Sequence, residues 1–162
     1  MISLAEYKKI VAELLDELPE AFFRELSGGV IVSEAMVIPD YARGNDLCTM
    51  GQYQVSYGVR QIVMFKGSFD RVHPHADAAQ ARQILRGVLR HEFRHHMEAL
   101  AHIHNSSSLE AEDARKKQAY LSRYRDQAAG RDGLKVRRRR RSKPAAGQPG
   151  QPEEDLPGGK RP

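Results

Sequence analysis

The chain has 162 residues, 40 % apolar and 29 % charged, long enough for one domain with a core and short for two. Glu6, Lys8, Lys9, Glu13, Asp16 and Glu17 interrupt the N-terminal stretch, which argues against a secretion signal, and no run nears the roughly 18 apolar residues that span a bilayer. Cys48 is the single cysteine, so an internal disulfide is excluded and a reducing, cytoplasmic setting is expected.

The net charge of +5 is unevenly spread. From Gly130 onward ten Lys or Arg stand against four Asp or Glu, whereas the first 129 residues carry 16 basic and 17 acidic groups. Residues 1–129 therefore read as a nearly neutral folded domain and residues 130–162 as a basic appendage.

In chain order, Leu4, Tyr7, Val11, Leu14, Leu15 and Leu18 recur at helical spacing before Pro19 and predict an amphipathic first helix. The piece EAFFREL predicts a second, short helix ending at Gly28 and Gly29. Val30, Ile31 and Val32 read as a buried strand, with residues 35–38 extending or following it. Residues 40–50 are loop-like, and two β-rich runs, 51–57 and 60–65, joined around Gly58, predict a hairpin. Gly67, Ser68, His73 and Pro74 close this β region. From Asp77 the period turns helical: Ile84, Leu85, Val88, Leu89, Phe93, Met97 and Leu100 predict a helix to about Ala101. Gly87 in its interior costs about 1 kcal/mol or serves a close backbone approach. Ser107 and Glu110 have capping-box spacing for a last helix to about Ala128. Beyond Gly130 the composition predicts disorder.

The chemistry concentrates in the HEFRH motif. His91 and His95 lie one turn apart on the predicted helix, so both imidazoles reach one ion at the ~2.0–2.1 Å that zinc requires. They continue the stripe of Ile84 and Val88 and so face inward. Glu92 lies about 100° round the helix, placed to act on a water at the metal as a general base. Two ligands and a base in this spacing are the pattern of metallopeptidase chemistry. The bland reading is a pair of helix histidines satisfied by nearby carboxylates.

The third ligand is open at this level. A metzincin-like pattern would need Gly at Glu98 and His at Ala101, so it fails. Asp113 and Glu110 on the following helix are the candidates, Asp113 slightly favoured and Glu112 third. The alternatives are a capping role for Glu110 and a solvated face for Asp113. His96 reads as a supporting or surface residue. His102 and His104 suit the dipole at a helix end, and His73 and His75 flank Pro74 in a loop. Tyr120 is a packed residue or an oxyanion donor, and Cys48 a packed or partly exposed thiol.

The segments LPEAFFREL, MGQY, IVMFKGSF, VLRHEFRHHMEAL and LEAED together resemble a family of small bacterial zincin-like metallopeptidases with a minimal HExxH core, over about residues 6–125. The resemblance implies an α+β fold in which a small sheet, a hairpin plus one or two strands, packs against the motif helix, with further helices at both ends. It also implies zinc at His91 and His95, Glu92 as base, and a peptide lying antiparallel beside the edge strand at 51–57. Some relatives carry Gly and Asp shortly after the second His, where Glu98 and Ala101 stand here.

Arg137 and Arg141 bound a run of five arginines. It reads either as a non-specific, salt-dependent contact for nucleic acid or another acidic partner, or as a solvated terminus. No aromatic residue interleaves with it, so base stacking is not offered. Two functions follow: a zinc peptidase acting on a peptide or protein substrate, or a non-catalytic zincin-like module that delivers the Arg-rich tail.

Overall fold

In a computed structural model of the chain, residues 1–44, 46–103, 105 and 107–141 are described, with side chains up to residue 127. The architecture is α+β: four helices and a three-stranded sheet. Residues 1–124 form one compact unit and residues 125–162 are a second. Among the described residues no helix is long and apolar enough to cross a membrane.

Helix α1 (Leu4–Asp16) is capped by Ser3, whose hydroxyl accepts from the Glu6 N–H at 3.1 Å. It buries Tyr7, Ile10, Val11 and Leu14. These pack on Ala81, Leu85, Leu89 and Phe93 of α3 (Ala78–Leu100) in one continuous core. Burying a Val or Leu side chain contributes about 1.5–3 kcal/mol, and Phe93 packs further on Phe22 and Phe23, so α3 is held along its buried face. At its margin Arg82 pairs with Glu13 and Glu17, and Arg86 with Glu17.

The sheet has the order β1-β3-β2. Strand β1 (Gly29–Ser33) runs parallel to β3 (Val59–Phe65), and β2 (Gly51–Ser56) runs antiparallel to it. Central β3 sends Ile62 and Met64 into the core. The expected hairpin is present: Tyr57 and Gly58, with φ of 47° and 80°, form a two-residue turn of the kind that matches strand twist. Strand β1 is half-buried rather than buried, with Ile31 exposed, because it is an outer strand. Residues 35–38 are not strand.

Three other expectations change. The EAFFREL helix is only a 3₁₀ turn over Glu20–Phe23. A short helix, α2 (Lys66–Val72), occupies the place read as a turn. Its Gly67 is required by packing, since a Cβ there would stand 2.5 Å from the Glu34 carbonyl oxygen. Finally, α4 (Leu109–Arg141) runs past Ala128. Lys135 and the arginines are good helix formers, and Gly130 and Gly133 do not end the helix. The disorder expected of the tail can be followed only to residue 141; residues 142–162 lie outside the described residues.

Candidate metal centre

Helix α3 begins with a reciprocal capping box: the Asp77 side chain accepts from Gln80 N–H, and the Gln80 side chain accepts from Asp77 N–H. It then runs unbroken through the HEFRH motif. The rings of His91 and His95 stand 4.9 Å apart, as the spacing of four residues requires.

The third member comes from α4. Asp113 Oδ2 lies 3.0 Å from His91 Nε2 and 3.1 Å from His95 Nε2. Its other oxygen, Oδ1, accepts from Lys116 at 3.4 Å. Helical phase explains why Asp113, and not Glu110, arrives here. Leu109 is buried, and Asp113 is four residues on, nearly on the same face. Glu110 is turned about 100° from Leu109 and is exposed. The α4 side of the cleft consists of Asp113, Lys116, Lys117 and Tyr120, a single helical stripe.

This donor set could hold a metal ion. Two imidazole nitrogens and one carboxylate oxygen lie within 4.8 Å of one another. Ligand atoms about 2.05 Å from a tetrahedral ion are separated by about 3.3 Å, close to the 3.0 and 3.1 Å found here.

Glu92 borders the same cleft and is buried. Its Oε2 accepts the Tyr53 backbone N–H at 2.8 Å, and among the described residues Oε1 accepts none. Burial pushes the Glu92 carboxyl above its ordinary value; the Tyr53 amide, His91 and His95 oppose this, and Asp113 adds to it. The sheet supplies that amide through its register. Phe65 N–H bonds Met50 O, so pairing alternates to leave Gly51, Tyr53 and Val55 pointing off the outer edge of β2. Gly51 permits the approach, because a Cβ there would stand 2.5 Å from Val88 Cγ1 and 3.0 Å from Glu92 Cγ.

The cleft has a volume of about 620 Å³. One wall is the 39–48 loop, which brings Tyr41, Leu47 and Cys48. Tyr120 is not an idle oxyanion donor. Its hydroxyl accepts from Arg43 N–H at 2.6 Å and donates to Asp46 Oδ1 at 2.7 Å, and Tyr124 donates to Asp46 Oδ2 at 2.5 Å. The two phenols hold the Asp46 carboxyl below the usual carboxylate range. Tyr120 is thus the peg to which the loop is tied.

The other histidines fall outside the centre. His96 is fully buried, donates from Nε2 to the Arg24 carbonyl at 2.9 Å, and lies 3.4 Å from the Tyr53 hydroxyl. His73 and His75 border a separate surface hollow. His102 is exposed just beyond α3, and His104 lies outside the described residues. Gly87 serves no close approach, since a Cβ there would meet nothing within 4 Å; it borders the cleft.

Sequence reasoning missed two contributors. Gly51 could have been flagged, because a glycine in a strand weakens it unless something approaches closely. The Tyr53 amide had no signal, being backbone. Ser108, not Ser107, caps α4, its hydroxyl accepting from Ala111 N–H at 3.3 Å.

No family model and no curated protein matches the chain. Among solved structures it is similar to a conserved hypothetical protein from T. thermophilus. The two are 27 % identical with a TM-score of 0.52, over 61 % of this chain and 97 % of that one. The likeness is one of fold, and that protein's name assigns no activity.

Proposed function

We propose that the protein is a zinc-dependent metallopeptidase of the HExxH type. The observation that carries this reading is the convergence of His91, His95 and Asp113 within 4.8 Å in a cleft that Glu92 also borders. The resemblance of the motif segments to small zincin-like peptidases, most specific at the same HEFRHH stretch, is consistent with it. A zinc ion held by His91, His95 and Asp113 would supply Lewis acidity and a water acidified toward neutrality.

The chain's own groups do the rest. Glu92 is positioned by Tyr53 N–H on one oxygen, leaving the other to take a proton from the attacking water and pass it to the leaving amine. The outer edge of β2 offers the Gly51 and Tyr53 carbonyls to an extended peptide added antiparallel. The lone Cys48 favours a reducing, cytoplasmic setting.

The test is metal analysis paired with cleavage of a peptide library. Wild type should carry about one zinc per chain and cut peptides. Glu92→Gln should keep the zinc and lose cleavage. Carefully purified wild type with no zinc would overturn the reading, and zinc with no cleavage would leave a binding module.

A further inference from the structure

Two of the three ligand positions are fixed by one helix, but Asp113 sits on another, reached through the connection at 101–108. Something must hold the start of α4 against the end of α3. The end of α3 is closed by a Schellman arrangement: Ile103 N–H bonds Glu98 O at 2.9 Å, and His102 N–H bonds Ala99 O at 3.3 Å. His102 takes the left-handed position at φ 51°, where glycine is usual. The chain is thus turned sharply at a fixed point.

The Glu98 side chain then reaches across. Its Oε2 accepts the N–H of Leu109, the first residue of α4, at 2.7 Å, and its Oε1 accepts from Arg94 Nε at 2.8 Å. The Arg94 guanidinium continues to Glu112 at 3.3 Å and the Ser107 carbonyl at 3.4 Å. Glu98 is mostly buried, its side chain 16 % exposed. A carboxylate in the last turn of α3 opposes that helix's dipole, and the same carboxylate favours the N-terminus of α4. Its carboxylate thus joins the two helices, pairing with Arg94 on α3 and with the Leu109 N–H on α4.

Leu109 and Asp113 are four residues apart, about 6 Å along one face. Clamping the Leu109 amide therefore sets both the height and the rotation of Asp113 relative to His91 and His95. We propose that Glu98, braced by Arg94, is the positioning residue for the third metal ligand, acting through Leu109. This inference rests on reading the site as a metal centre.

The test is a double-mutant cycle on zinc affinity, measured on the full chain by competition with a chromophoric chelator. Glu98→Ala should weaken zinc binding by about 10- to 100-fold, the range for residues that orient a ligand. In an Asp113→Ala background the same change should cost nothing further, since the ligand it positions is gone. Glu98→Gln keeps an oxygen for the Leu109 N–H and should restore affinity close to wild type. If Glu98→Ala does not fold, Glu98→Asp, which keeps the charge but is too short to reach, takes its place in the cycle. Wild-type affinity in the Ala or Asp variant would overturn the proposal. So would an equal loss in the Asp113→Ala background, or a Gln variant as weak as Ala. Wild type that binds no zinc would instead remove the metal centre itself, and this role with it.

Discussion

Helix α3 carries His91, His95 and Glu92 on a rod capped at Asp77 and buried along Ala81, Leu85, Leu89 and Phe93. Helix α4 carries Asp113 on a rod whose residues 114–119 are exposed, anchored near its start by buried Leu109 and the Glu98 carboxylate. The first half of the site is set by packing that any folded copy of the domain has. The second half depends on fewer anchors: buried Leu109, the polar contacts of Glu98 and Arg94, and the ties of Tyr120 and Tyr124 to the 39–48 loop. A two-helix arrangement of this kind separates the rigidity of the histidine pair from the adjustability of Asp113.

The largest effect should come from the rigid half. His91→Ala is expected to abolish stoichiometric zinc and all cleavage, whereas Asp113→Ala should leave weaker zinc binding at the two imidazoles. Metal titration of both variants checks this, and equal losses would erase the distinction between the helices. Next, Glu92→Gln should lower kcat by about 10²- to 10⁴-fold, the usual contribution of a positioned acid–base group, with zinc affinity unchanged in the same titration.

Gly51→Ala sharpens the comparison from the sheet side. Its methyl would press on Val88 and Glu92, and such overpacking costs about 1–3 kcal/mol. Denaturant unfolding should show that loss, with a drop in kcat as the Tyr53 amide shifts from Glu92 while zinc stays bound. The smallest effect is a gain. His102→Gly relieves a left-handed non-glycine residue and should stabilise the domain by about 1 kcal/mol in the same assay.

The rigid half was also the legible half. Periodicity alone places Leu85, Leu89 and Phe93 on the core face of α3, and a spacing of four puts His91 and His95 together, because both facts are local to one helix. The hairpin at Tyr57 and Gly58 was legible for the same reason. Asp113 and Glu110 could not be separated from sequence, since the choice depends on which face of α4 Leu109 buries, a tertiary fact. Helix α2 was hidden because Gly67 and Ser68 have turn chemistry, and Gly67 is there to pass Glu34. The hold on Glu92 was hidden because its donor is a backbone amide, placed by the β2–β3 register.

The most direct test of the central claim is an anomalous difference map at the zinc edge from a crystal of the zinc-loaded protein. A single peak about 2.0–2.2 Å from His91 Nε2, His95 Nε2 and an Asp113 oxygen, with Glu92 outside the ligand shell, is the predicted result. No peak at these residues, or a peak whose third protein ligand is not Asp113, would contradict it.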